Sequence, residues 1–233
     1  GYYAVAYKLF ETVLFIIWSV ARVAAPEIAS ASTAKSARKT YEVAVSTALS
    51  VMTPYTVVMI VSGGALAALL FGAEYEVGSA AATAWLGLAL IPYTVQYLSA
   101  SASIARGHNN TVLIASLVAL VVNVGLNLWL IPLYGSSGAA FATMATIVVQ
   151  SSVLLVTVWR SFEGISLWRP AIHLPIAGLA MVPVLLGIAP IILAAPLAGV
   201  LYLAVWFGVG KLVDPGAVNG VLALVRREKA APA

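Results

Sequence analysis

Residues 123–143, NVGLNLWLIPLYGSSGAAFAT, join the end of one apolar run to the start of another through a short turn. Before Pro132 this stretch is apolar apart from Asn123 and Asn127, which lie one helical turn apart on the same face. Pro132 has no N–H with which to extend a helix, and Gly135 and Gly138, on either side of Ser136 and Ser137, permit a sharp reversal past Tyr134. Ser136 or Ser137 can cap the following helix, where Gly138, Ala139, Ala140 and Ala142 let a neighbour approach closely. A corner of this kind between two long apolar runs reads as a transmembrane hairpin. A soluble hairpin is disfavoured because almost no polar face is left to meet water.

The rest of the chain argues the same way. Of 233 residues, 62% are hydrophobic and only 9% are charged, against about a quarter charged in an average globular domain. A helix that is apolar all round is either a core helix or a membrane span, and a chain of this size cannot bury many of the former. The expected fold is therefore an all-α integral membrane bundle. The absence of Cys removes disulfides and thiol chemistry. The sequence starts at Gly1, already inside an apolar run and with no signal peptide, so an upstream portion is expected to be missing.

About seven spans are predicted. They cover roughly residues 2–25 (ending at Pro26), 43–70 (kinked near Pro54), 77–105 (with Pro92 inside), 111–131, 138–159 and 171–187. The last, after a turn holding Pro190 and Pro196, ends near Val213. Each approaches the roughly 20 apolar residues that cross about 30 Å of hydrocarbon. The first five, within 1–160, form one bundle, 171–213 adds two helices, and 214–233 is a tail. Within that tail, 217–229 reads as a short basic amphipathic helix on the membrane surface or as a frayed end.

Charge sets the orientation. The connections after spans one, three and five, with the tail, carry Lys35, Arg38, Lys39, Arg106, Arg160, Arg169, Lys211, Arg226, Arg227 and Lys229; those after spans two, four and six carry no Lys or Arg. The positive-inside rule then places the C-terminus in the cytoplasm and residue 1 near the outer face. Trp129 and Tyr134 fall at the outer boundary, Trp159 and Trp168 at the inner one. The net charge of +4 reflects topology and lipid head-group attraction, not nucleic-acid binding.

Chemistry has to reside in polar groups inside the spans, since an ionisable side chain in hydrocarbon costs several kcal/mol without a wet cavity or a partner. Span one holds Lys8, Glu11 and Arg22. At 100° per residue, Lys8 and Arg22 differ by about 40° and Glu11 lies about 60° from Lys8, so all three share a face with Phe15 and Trp18. One reading is a charged stripe lining a cavity for an anionic head group, with Glu11 open to a coupling cation (H+ or Na+). The other is a Lys8–Glu11 pair inside the bundle with Arg22 snorkelling to the interface. Asn123 and Asn127 with Ser116, the stripe Thr143, Thr146, Gln150 and Thr157, and the cluster Tyr93, Gln96 and Tyr97 are further cavity candidates or interhelical hydrogen-bonding groups. His108 and His173 have no neighbouring ligand set, and neither a phosphate loop nor a hydrolase arrangement is present, so no metal, cofactor or enzyme activity is expected.

The opening Gly1-Tyr-Tyr-Ala-Val-Ala-Tyr-Lys-Leu, the turn Leu-Phe-Gly-x-x-Tyr at 70–75 and above all Asn123-x-x-x-Asn127-x-x-x-Ile131-Pro132-x-Tyr134-Gly135-x-x-Gly138-Ala139-Ala140 resemble the polysaccharide biosynthesis flippases. These lipid-linked oligosaccharide exporters belong to the multidrug/oligosaccharidyl-lipid/polysaccharide superfamily. The resemblance runs from Gly1 to about Trp159 and more loosely beyond. It implies two six-helix lobes around a central cavity with two extra C-terminal helices, the spans here corresponding to the eighth to fourteenth. The N-terminal lobe would then be missing as a partner. The implied activity is alternating-access export of a polyprenyl-linked glycan across the cytoplasmic membrane. A drug/cation antiporter of the same superfamily and a membrane-embedded glycan transferase are the competing readings. The first lacks carboxylates within the spans other than Glu11, and the second lacks a cluster of acids.

Overall fold

The computed structural model describes residues 1–188, 190–213, 215, 218 and 219. Among these the regular structure is helical: α1 (Tyr2–Thr12), α2 (Leu14–Ser30), α3 (Ala34–Phe71), a 3₁₀ turn (Ala73–Tyr75), α4 (Glu76–Ala105), α5 (Asn109–Ser161), α6 (Trp168–Leu179), α7 (Val182–Gly187) and α8 (Ile191–Val213). Six helical segments among the described residues are long and apolar enough to cross a membrane, α1–α2 and α6–α7 each counting as one. Only 17% of the most apolar stretch of α5 is buried. Its Leu113, Leu117, Leu120, Val121 and Leu128 face outward, as do Ile192, Leu193, Leu197 and Val200 of α8. Such a surface is soluble only in lipid. The chain is a multi-pass membrane protein.

α5 runs for 53 residues, about 80 Å if it were straight, well beyond the hydrocarbon thickness of about 30 Å. It is not straight. Gly135 sits at φ 55°, ψ −127°, a conformation that only glycine adopts without strain. Two side-chain bonds close the limbs against each other: Asn123 Nδ2 donates to Thr146 Oγ1 at 3.2 Å, and Gln150 Nε2 to Ser116 Oγ at 3.1 Å. Both pairs are centred within a few residues of Gly135, so the limbs run antiparallel. At Gly138 the Leu130 carbonyl occupies the place a Cβ would take. The corner expected from Pro132, Tyr134, Gly135 and Gly138 is therefore present, with the reversal at Gly135.

The prolines behave differently from expectation. Pro26 does not end the first span, and α2 continues through it to Ser30. In α3 the non-helical residue is Ser62 (φ −129°, ψ 19°), eight positions beyond Pro54. Pro196 lies inside α8. Proline removes one N–H and frees one carbonyl, which a packed membrane helix tolerates. Likewise, the stretch from Pro26 to Tyr41 is no long loop. Thr33 Oγ1 accepts from the Ser36 N–H and starts α3 at Ala34, placing Lys35, Arg38 and Lys39 on its first turns. Glu27 and Glu42 thus also lie on helices, which leaves Glu11 no longer alone among the carboxylates in these segments. The sixth span starts earlier than expected, at Trp168, and is interrupted at residues 180–181. The tail segment 217–229 lies outside the described residues except for Val218 and Asn219.

α4 packs most extensively against α3 and α5, and α6–α8 pack on α3. One apolar cluster joins Ile28, Tyr41, Val45, Phe162, Tyr202 and Trp206; the other joins Phe10, Ile17, Met59, Leu86, Leu90 and Ile147. Buried hydroxyls tie α3 to α4 and α8. Tyr41 Oη and Ser99 Oγ lie 2.7 Å apart, and Tyr202 Oη donates to the Ser50 carbonyl at 2.6 Å. The end of the bundle at residues 31–33, 106–108 and 162–167 is drawn together by polar contacts. Arg106 donates to the Ala31 carbonyl at 3.3 Å, and the Ser166 N–H donates to Glu42 Oε1 at 2.6 Å.

Gly138→Leu drives a side chain into the Leu130 carbonyl, whereas Gly125 has open space around it. The expected cost of Gly138→Leu is about 1–3 kcal/mol, with Gly125→Leu near neutral, as read from thermal unfolding of the two variants in the same detergent.

Candidate functional site

Along α1 and α2 the residues alternate in a helical pattern between a buried and an open face. Leu9, Phe10, Leu14, Ile17 and Ala21 are buried, while Lys8, Glu11, Thr12, Phe15, Ser19 and Arg22 are exposed. The three charged residues of the first span therefore do share an open face with Phe15. Trp18 does not belong to it: its indole N–H donates to the Tyr93 hydroxyl at 3.4 Å, and its ring tilts against Tyr97 at 6.4 Å between centroids.

Lys8 Nζ and Glu11 Oε2 form an ion pair at 2.9 Å, with side chains 68% and 46% exposed. Exposed pairs contribute little stability in water, but in a membrane-type helix an open ion pair requires a polar medium beside it. The pair sits next to a helix break. Val13, at φ −102°, ψ −7°, separates α1 from α2. The carbonyls just before the break are taken up by hydroxyls: Thr12 Oγ1 donates to the Lys8 carbonyl at 2.7 Å and Tyr55 Oη, from α3, to the Leu9 carbonyl at 2.8 Å. Discontinuous helices of this kind line the substrate sites of many transporters.

Aromatic rings hold the back of this element against α4. Phe10 meets Tyr93 edge-on at 5.6 Å, and Tyr93 stacks on Tyr97 at 6.1 Å, so of the cluster around Pro92 these two rings support the stripe from behind.

The second set of candidates lies in the α5 hairpin. Asn127 Nδ2 donates to both the carbonyl and the side-chain oxygen of Asn123, at 2.9 and 3.0 Å, and Asn123 and Gln150 bridge to Thr146 and Ser116 as described. Tyr3 Oη approaches Thr143 Oγ1 at 3.0 Å and ties α1 to this hairpin. The structure thus brings Lys8, Glu11 and Arg22 onto one face and engages Asn123, Asn127 and Gln150 in hydrogen bonds that shape the hairpin. Tyr55 escaped the sequence reasoning because its acceptor is 46 residues away. Thr12, four residues after Lys8, carried a local signal. Among the described residues no three His, Asp or Glu side chains converge on a metal position.

A family model described as lipid II flippase MurJ matches residues 1–208, which takes in α1 to α7 and most of α8. The chain belongs to the MurJ lipid II flippase family. No curated protein and no solved structure matches the chain. The MurJ family consists of flippases for a lipid-linked precursor, in agreement with the class to which the corner and the opening motif pointed.

Tyr55→Phe removes the bond to the Leu9 carbonyl and leaves the ring in place. It is expected to weaken the break by about 1 kcal/mol, read as roughly fivefold faster amide exchange over residues 9–13 with exchange in α8 unchanged.

Proposed function

We propose that this chain supplies the second-lobe bundle and the C-terminal helices of a flippase. Its cargo is a polyprenyl-linked, phosphate-bearing glycan precursor of the lipid II class, whose head group crosses along the open face of α1–α2. The observation that carries this reading is the exposed Lys8–Glu11 pair at a break in an otherwise apolar helix. A cation there meets phosphate as the head group passes while the lipid tail stays in the membrane. Arg22, about three turns beyond Glu11 on the same face, extends the attraction toward the basic end, and Glu11 exchanges Lys8 for a coupling cation.

Counting the two limbs of α5 separately, the described residues cross the membrane seven times. The basic connections then face the cytoplasm together with the C-terminus, under the positive-inside rule. Residues 1–160 act as the lobe and 171–213 as two added helices packed on α3. Alternating access needs an opposing lobe to rock against this one, and the open face of α1–α2 is where such a lobe would stand.

The competing readings draw less support. A cationic cargo of an antiporter would meet Lys8 beside Glu11, a charge that suits an anionic head group instead. A transferase needs converging acids, and the described residues hold no such group.

In the full-length protein, Lys8→Ala is expected to lower delivery of lipid II to the outer leaflet about 10- to 100-fold, the range of one charge-assisted contact of roughly 1.5–3 kcal/mol. Lys8→Arg retains most of it. Delivery that survives both Lys8→Ala and Glu11→Gln removes the assignment.

A further inference from the structure

A groove of about 630 Å³ opens between α2 and α3. Its wall is apolar, built from Ile16, Val20, Val23 and Val43, and its mouth holds Glu27 and Lys39. Ser19 and Val23 belong both to this groove and to the open face of α2. Along α2 the groove runs from Glu27 to Ile16, about 16 Å at 1.5 Å per residue. That is close to the hydrocarbon depth of one leaflet, about half of 30 Å. The mouth lies at the end of the bundle where the basic connections gather.

The charges at the mouth are of opposite sign and lack partners. The ion pairs among the described residues are Lys8–Glu11 and Arg38–Glu42, so neither Glu27 nor Lys39 is paired, with each other or elsewhere. An unpaired cation and an unpaired anion over one apolar slot complement a ligand that carries both signs on a single head and an apolar tail beneath it.

We propose that this groove binds a zwitterionic aminophospholipid of the adjoining leaflet. Glu27 accepts hydrogen bonds from the primary ammonium, Lys39 holds the phosphate and one acyl chain fills the slot. The bound lipid then forms part of the wall beside the open face of α2. A soluble zwitterion leaves the apolar wall unfilled. An anionic phospholipid, or a polyprenyl pyrophosphate, brings only negative charge to a mouth that holds Glu27. The chemistry selects a primary ammonium, because a quaternary one has no N–H to donate to the Glu27 carboxylate.

The test is to titrate delipidated full-length protein separately with phosphatidylethanolamine, phosphatidylglycerol and phosphatidylcholine and count retained lipid by native mass spectrometry. One phosphatidylethanolamine is expected to be retained about tenfold more tightly than either of the others. Glu27→Gln abolishes that preference, Lys39→Ala weakens phosphatidylethanolamine retention about tenfold and Val23→Trp blocks the slot. Lys35→Ala, whose side chain is not part of the groove, leaves retention unchanged. Equal retention of the three lipids, a preference for phosphatidylglycerol, or retention indifferent to Glu27→Gln and Val23→Trp overturns the proposal. Binding is read without transport, so the outcome is independent of the flippase reading.

Discussion

Every backbone N–H and C=O placed in hydrocarbon needs a partner within the protein, and the architecture follows from how that need is met. Unbroken helices meet it by themselves. The informative places are the interruptions, where another group has to substitute. Beside Val13 the hydroxyls of Thr12 and Tyr55 donate to the Lys8 and Leu9 carbonyls of the last turn of α1. At Gly135 the reversal is confined to a single residue, and Asn123, Thr146, Ser116 and Gln150 bind the two limbs below it. Elsewhere hydroxyls bond back to the preceding turn, as Thr53 does to Leu49 and Thr94 to Leu90. A polar side chain in such a bundle is therefore first a structural partner, and only one left open to the outside is available to a substrate.

That distinction sorts the polar residues of this chain. Asn123, Asn127 and Gln150 all have partners within the hairpin, whereas the charges of α1–α2 stand open. Lys8 and Glu11 neutralise each other without being buried, and Arg22 and Ser19 continue the same face. An apolar helix that carries an open charged stripe on one side and a rigid aromatic backing of Phe10, Tyr93 and Tyr97 on the other is suited to bordering a wet path. The family match over residues 1–208 is to lipid II flippases.

Much of this is legible in the amino-acid sequence. The apolar runs marked the spans, Gly135 and Gly138 marked the corner, and the 100° periodicity put Lys8, Glu11 and Arg22 on one face. The failures have physical reasons. Pro26, Pro54 and Pro196 suggest a span end, a kink and a turn, but neighbours in a membrane bundle absorb the missing bond, and α2 and α8 run on through Pro26 and Pro196. Trp18 has the right helical angle for the open face, yet its indole N–H finds Tyr93 on α4. Tyr55 bonds to the Leu9 carbonyl beside the break at Val13, and a contact across 46 residues leaves no local trace.

The central claim is that the α1–α2 face borders water. Because the chain has no Cys, the claim is open to direct measurement by placing single cysteines, as Thr12→Cys, Phe15→Cys and Ser19→Cys, in the full-length protein in native membranes. The reference positions are Leu120→Cys and Leu128→Cys on the outward apolar surface of α5. A membrane-impermeant, water-soluble maleimide applied from both sides is expected to label the first three at least tenfold faster than the two references. Labelling of Phe15→Cys and Ser19→Cys as slow as that of Leu128→Cys would mean that the stripe faces lipid, and the account would fail.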